Sequence, residues 1–194
     1  MEFCEVENNP NDPDSGTRQV SFSRNLYIES EDFLETPIPK YKRLYPNGLE
    51  CRLKGAYLIT CTGCVKDENG NVVEVLATYD PESKGGNPAD GRKVKGATIH
   101  WVDASSAVDA EVRLYDNLFS DADPDGGDKD FLDCLNPGSL EVLEGAKLEA
   151  SLADANASDR FQFLRMGYFC ADKDSKPGKL IFNRAVGLKD GFKK

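Results

Sequence analysis

The sequence predicts an all-β fold, and three observations carry that prediction. Short runs rich in valine, isoleucine, leucine and aromatic residues recur along the 194 residues. The segments between them are dense in glycine, proline, asparagine and aspartate. One of those segments, Glu68-Asn69-Gly70-Asn71, lies between valine-rich runs and reads as a β-hairpin turn, because asparagine and glycine tolerate the positive φ that tight hairpins demand.

In chain order, the strand-like runs are 19–29, 49–66, 72–79, 92–102, 108–115, 161–171 and 180–188. The second and third are the arms of the predicted hairpin. Glycine- and proline-rich connections follow at 81–91 (PESKGGNPADG), 121–130 (DADPDGGDKD) and 175–179 (SKPGK), none with a periodic apolar pattern, so they are expected as surface loops. Many short strands joined this way point to a sandwich or barrel and away from a parallel α/β sheet. Two stretches pull the other way. Residues 140–155 are rich in leucine, glutamate, alanine and lysine, which favour helix, and 105–119 can also be drawn as one.

Composition describes a soluble globular chain: 39% hydrophobic, mean hydropathy -0.52, formal net charge -10. No run approaches the ~18 apolar residues of a membrane span, and the acidic start MEFCEVENN lacks the basic and apolar regions of a signal peptide. The cytosol is the expected compartment, with no membrane partner. The net charge argues against a nucleic-acid ligand, since phosphate binding usually shows as a basic excess. A ligand meets local potential, however, and the acidic residues concentrate at 121–130 and 141–154.

Several motifs resolve to bland readings. Asp121-Ala122-Asp123-Pro124-Asp125-Gly126 matches the first half of a calcium-binding EF-hand loop, but the twelfth position, which needs a bidentate glutamate, is Leu132. Cys61-Thr62-Gly63-Cys64 has the spacing of a zinc pair without a second pair to complete four ligands. The six cysteines are dispersed, four of them in strand-like runs, and read as buried free thiols. His100, the only histidine, stands beside Trp101 with no nucleophile motif to serve, so a structural role is expected. Asn156-Ala157-Ser158 matters as a glycosylation acceptor only outside the cytosol. No GxxxxGK[ST] or GxGxxG loop offers an ATP site, and neither a catalytic constellation nor a metal set emerges.

What remains are basic clusters interleaved with aromatics: Lys40-Tyr41-Lys42-Arg43, then Arg52 and Lys54, then Arg92-Lys93-Val94-Lys95. Residues two apart on a strand share a face, so Arg52 pairs with Lys54 and Lys93 with Lys95. In Arg160-Phe161-Gln162-Phe163-Leu164-Arg165 the same alternation sets Arg160, Gln162 and Leu164 against Phe161, Phe163 and Arg165. Such sets suit unstacked RNA bases, read by aromatic stacking and polar edges; a solvated charged strand face is the competing explanation.

Seven collinear motifs go further: GTRQVSFS (16–23), YKRL (41–44), ECRLKGAYLI (50–59), DGRKVKGATIHWVDA (90–104), EVRLYDNLF (111–119), FQFLRMGYFCAD (161–172) and FNRAVGLKD (182–190). Together they resemble the C-terminal region of glutaminyl-tRNA synthetases of the bacterial type, over nearly the whole chain. The resemblance implies two six-stranded β-barrels of the ribosomal-protein-like kind that exchange N-terminal strands and grip the anticodon loop of tRNA-Gln. Residues 1–102 and 103–194 would form the two barrel portions, and 140–150 would be extended against its helical propensity. By the same resemblance, Lys42 and Arg43 match the positions that recognise the last anticodon base, Arg52 and Lys54 those near the first, and Gln162 the residue that reads the central uracil. Pro10 and Asn11 fall where the family's first loop meets the anticodon, and Arg165 lies beside the same pocket.

Departures from the family pattern are Lys54 where arginine is common and Lys40 where glutamine is common; lysine lacks arginine's planar fork. A further arginine of the pocket would lie upstream of Met1. HIGH-like and KMSKS-like signatures are absent, so this piece is expected to be inactive by itself. The resemblance places the ATP and Mg chemistry of a glutamine–tRNA ligase in an upstream catalytic domain of the same polypeptide, and a monomer is expected.

The nearest rival is a glutamyl-tRNA synthetase of the archaeal or eukaryotic kind, which is similar in carrying this barrel pair. Glutamine and glutamate anticodons differ at the last position, G against C. Arginine donors match O6 and N7 of G, whereas C calls for an acceptor, so Arg43 favours glutamine. A single-barrel protein binding 5S rRNA, a calcium-binding lectin-like module and a hydrolase using unassigned carboxylates are the remaining alternatives.

Overall fold

The computed structural model describes residues 1–188. They are all-β: thirteen strands and five short 3-10 turns, with no α-helix among the described residues. The strands are β1 (Glu2–Glu7), β2 (Thr17–Phe22), β3 (Leu26–Ile28), β4 (Cys51–Leu53), β5 (Leu58–Lys66), β6 (Val72–Asp80), β7 (Thr98–Ile99), β8 (Trp101–Asp103), β9 (Val108–Tyr115), β10 (Leu140–Leu148), β11 (Arg160–Phe163), β12 (Gly167–Ala171) and β13 (Leu180–Val186). The chain divides into two compact units, Met1–Ser106 and Ala107–Lys194.

The first unit contains the sheets β1-β2, β3-β8 and β6-β5-β4-β7. Its core gathers Cys4, Val6, Val20, Phe22, Leu44, Leu53, Tyr57, Ile99 and Trp101, all buried. Phe22 is the hub of the aromatics, 5.0 Å from the ring of Tyr57 and 5.3 Å, edge to face, from Trp101. The indole N–H of Trp101 donates to the Lys54 carbonyl at 3.0 Å, so burial of this side chain leaves no donor unmet. His100, between β7 and β8, sets Nδ1 3.6 Å from a Glu29 carboxylate oxygen.

The hairpin forms where the sequence places it. Nine-residue strands β5 and β6 pair antiparallel, and Asp67 organises the turn between them. Its carboxylate accepts from the amides of Asn69 and Asn71 and from the Asn71 side chain, and Gly70 adopts φ 85. Those bonds, led by the Asn71 side chain, hold the Asp67 carboxyl below its ordinary pKa.

The second unit is a five-stranded sheet, β10-β9-β13-β12-β11, whose only parallel pair is β13 with β9. Phe182, fully buried, lies 5.9 Å from Phe161 and 5.5 Å from Phe163, while Phe163 stacks on Phe169 at 4.3 Å. Residues 140–148 are a strand despite their helical propensity. Seven residues pair with β9 across a bulge at Gly145, whose φ of 70 suits a bulge and would cost a helix about 1 kcal/mol. The extended form implied by the family resemblance is the one seen. Residues 108–115 are likewise a strand and not a helix.

Other runs are shorter than expected. The run 19–29 breaks between β2 and β3, and 49–66 breaks at a turn where Gly55 takes φ 70. The run 92–102 shrinks to β7 and β8: residues 92–95 lie outside any strand, so Lys93 and Lys95, both exposed, do not share a strand face. The run 161–171 folds into the β11–β12 hairpin, with Leu164 and Arg165 in its turn and so not part of the alternation. Strand β1 was not among the expected runs, although its Cys4 and Val6 alternate inward. Lys189 and Asp190, which end the last family-like motif, lie outside the described residues.

All six cysteines are free; Cys4, Cys51 and Cys61 are buried, while Cys64, Cys134 and Cys170 are only partly so. Burial pushes the Cys51 thiol up to about 11. Asp121 pairs with Lys129 at 2.6 Å, and among the described residues no three His, Cys, Asp or Glu side chains gather as a metal group. No helix of the described residues is long and apolar enough to cross a membrane.

Candidate nucleic-acid interface

Six of the eight candidate residues lie in the first unit: Pro10, Asn11, Lys42, Arg43, Arg52 and Lys54. Three of these, Lys42, Arg52 and Lys54, are stitched together by one short stretch of backbone. Ala97 donates to the Lys42 carbonyl at 2.7 Å and accepts from the Arg52 amide at 3.0 Å, while the Lys54 amide donates to the Ile99 carbonyl at 3.0 Å. Arg52 and Leu53 also pair in parallel with Thr98 and Ile99. Residues far apart in sequence, 42–43 and 52–54, are thereby brought to one strand edge.

Close approach makes this possible. A Cβ on Gly96 would sit 2.3 Å from the Glu50 carbonyl oxygen and 2.7 Å from Cys51 Sγ, so only glycine fits where 96 crosses β4. Burial alternates along Cys51, Arg52, Leu53 and Lys54, with the cysteine and leucine inward and the two basic residues partly exposed. The expected shared face of Arg52 and Lys54 is therefore present.

The basic side chains differ in how they are held. Lys42 is exposed, and its side chain makes no hydrogen bond or ion pair to the described residues. Arg43 is partly buried, with Nη1 3.3 Å from a carboxylate oxygen of the fully buried Asp32 and donating to the Glu31 carbonyl at 3.2 Å. Arg52 donates from Nε to the Gly86 carbonyl, and a Cβ on Gly86 would meet Arg52 Cδ at 2.9 Å. The 81–91 connection is thus more than a solvated loop: Ser83 is buried, accepting from the Leu58 amide at 2.9 Å. Pro10 and Asn11 occupy an exposed turn, where the Asn11 amide donates to the Asn9 side chain at 3.0 Å.

Arg92 shows why a basic cluster in sequence need not be a basic surface. Its guanidinium bonds Glu50 at 2.7 Å, Asp80 at 2.8 Å and Asp90 at 2.9 Å. Those carboxylates, Glu50 first, hold it still more firmly protonated, and in return Arg92 keeps Asp80 below the ordinary carboxylate range. The charge of Arg92 is spent inside the protein.

In the second unit, β11 alternates as expected over four residues: Arg160 and Gln162 are exposed, Phe161 and Phe163 partly buried. Gln162 pairs across the hairpin with Tyr168, which is also exposed. Its amide makes no hydrogen bond to the described residues, leaving donor and acceptor available beside an aromatic ring. Arg165 sits in the hairpin turn at φ 65, an uncommon backbone conformation for a side chain of this size.

Sequence reasoning missed three participants: Asp32, Gly86 and Gly96. Asp32 lies in the acidic run Glu29-Ser30-Glu31-Asp32, which reads as solvated surface; nothing local marks its carboxylate as the buried one.

Comparison with known proteins places the chain in a family. Two family models, each described as the anticodon-binding domain of class I tRNA synthetases (E and Q), match residues 1–80 and 98–172. Among curated relatives, a glutamine–tRNA ligase of Bradyrhizobium diazoefficiens is 51% identical over 193 residues, covering 100% of this chain and 34% of the relative. One from Ralstonia pickettii is 54% identical over 195 residues, covering 100% and 33%. Another, from Clostridium kluyveri, is 51% identical over 194 residues, covering 99% and 34%. The chain thus spans about a third of the length of these relatives. The two matched segments hold all eight candidate residues and the strands that carry them, and the chain belongs to the anticodon-binding domain family of the class I tRNA synthetases for glutamate and glutamine.

Proposed function

We propose that this chain is the anticodon-reading part of a cytoplasmic, monomeric glutaminyl-tRNA synthetase whose catalytic domain attaches glutamine to tRNA-Gln with ATP and Mg. On this reading Lys42 and Arg43 meet the last anticodon base, Arg52 and Lys54 lie near the first, and Gln162 reads the central uracil. Pro10, Asn11 and Arg165 line the approach. Correct recognition reaches the distant active site as a coupling free energy.

One observation carries the choice of glutamine over glutamate: the partly buried guanidinium of Arg43, anchored through Nη1 on Asp32. Arginine N–H groups suit the O6 and N7 acceptors of G and oppose the amino group of C. The chain should therefore bind an anticodon stem-loop ending in UG more tightly than one ending in UC. Replacing Arg43→Ala should remove about 1–3 kcal/mol of that preference in a binding titration. Equal affinity of the unaltered chain for both loops, or an unchanged preference in the variant, would overturn the assignment.

A further inference from the structure

Asp32 closes the 3-10 turn Ser30–Asp32, and its side chain is fully buried. A buried carboxylate needs a compensating partner, and Arg43 Nη1 is 3.3 Å away. The same Nη1 donates to the Glu31 carbonyl at 3.2 Å, an oxygen that also accepts from the Tyr41 hydroxyl at 2.9 Å. The backbone is pinned as well. Leu44, almost wholly buried, donates to the Asp32 carbonyl at 2.9 Å and accepts from the Leu34 amide at 3.0 Å.

A guanidinium is planar, with its N–H groups in a fixed fork. Nη1 lies on the side of Cδ, so fixing it turns the opposite edge outward: Nε–H and one Nη2–H, two parallel donors. Those atoms make no hydrogen bond to the described residues, and the Arg43 side chain is 33% exposed. Two parallel donors fit two adjacent acceptors in one plane, as on G, and meet a donor on C. The neighbouring carboxylate also offsets the charge of Arg43, leaving geometry as its main contribution.

We propose that Asp32, with Tyr41 steadying the Glu31 carbonyl, is a positioning residue that presents the Nε/Nη2 edge of Arg43 to the last anticodon base. This role rests on the reading in which Arg43 contacts that base. The test is the affinity of the 194-residue chain for UG-ending and UC-ending stem-loops, measured for the unaltered protein, Asp32→Asn, Tyr41→Phe, Arg43→Ala and the Asp32→Asn/Arg43→Ala double variant.

Asp32→Asn should lose at least ~5-fold of the UG-over-UC ratio. Its affinity for the UC loop should hold or rise, because one negative charge is gone. Tyr41→Phe should lower the ratio by a smaller factor, and the double variant should discriminate no less than Arg43→Ala alone. A purely structural role for Asp32 would weaken both loops equally. If Asp32→Asn and Tyr41→Phe keep the full ratio while Arg43→Ala loses it, the positioning role is wrong and the Arg43 reading stands. If Arg43→Ala keeps the ratio, the underlying reading fails and this proposal with it. Should Asp32→Asn not fold, Tyr41→Phe decides by the same criterion.

Discussion

The arginines of the first unit and the candidate glutamine of the second are held in opposite ways. In the first, the arginines are committed before any ligand arrives: Arg43 to Asp32, Arg52 to the Gly86 carbonyl and Arg92 to three carboxylates. In the second, Gln162 stands on β11 with its amide unengaged, placed by strand alternation over a phenylalanine core. Charged groups lose much entropy when ordered and can pair with any phosphate, so pre-fixing them converts attraction into geometry. A neutral amide on a strand needs no such restraint. Discrimination by donor position is therefore expected of the first unit and hydrogen bonding at a tolerant surface of the second.

The largest effect that would test this contrast falls on the second unit's core. Phe182→Ala removes its central ring and should cost about 3–5 kcal/mol in a urea melt followed by circular dichroism. Trp101, the only tryptophan, reports the first unit by fluorescence. A tryptophan transition shifted by the same amount would break the distinction, since both units would then unfold as one.

Gly96→Ala should come next. Its Cβ meets the Glu50 carbonyl, backbone that cannot swing aside, so a loss of about 1–3 kcal/mol is expected together with weaker stem-loop binding. Normal binding by this variant would separate the basic edge from the backbone that assembles it.

Gln162→Ala should leave stability within about 0.5 kcal/mol, because the side chain is exposed, while weakening stem-loop binding by about 1 kcal/mol. Affinity should also fall with added salt despite the net charge of -10; a flat response would mean the basic edge is not the site.

The smallest effect is in acid. Asp80 is depressed first by the Arg92 side chain and Asp90 by the Arg92 amide, whereas in the second unit Asp172 is depressed by the Asp174 amide and the Asn183 side chain. A carboxyl lowered on folding contributes stability above its unfolded value and loses it as pH falls through the folded one. Both units should thus weaken only below about pH 4. Arg92→Ala should raise Asp80 toward 3.8, move Asp90 less because the amide of residue 92 remains, and leave Asp172 unmoved in a carboxyl-detected titration. A shift of Asp172 would sharpen the comparison by showing that the units share their electrostatics.

Much of this was legible in the chain because it depends on neighbours. The β5–β6 hairpin follows from Asn69-Gly70-Asn71 and the valines beside it, and the Arg160–Phe163 alternation from period two. The collinear motifs carried the family. The helical propensity of 140–148 misled because pairing with β9 outweighs a few tenths of a kcal/mol per residue. Arg92 misled because its partners, Glu50 and Asp80, are distant in sequence.

By itself the sequence determined the β class, the hairpin turn and which basic residues were available. Only tertiary structure decided which of them point their donors outward. Lys42 and Arg43 are adjacent in the chain, yet one is exposed and the other tied to a buried carboxylate eleven residues away. Local propensity sets the direction of a side chain relative to its own strand. Whether its charge stays available depends on what the folded chain packs against it, and that follows from contacts such as the Gly96 crossing of β4.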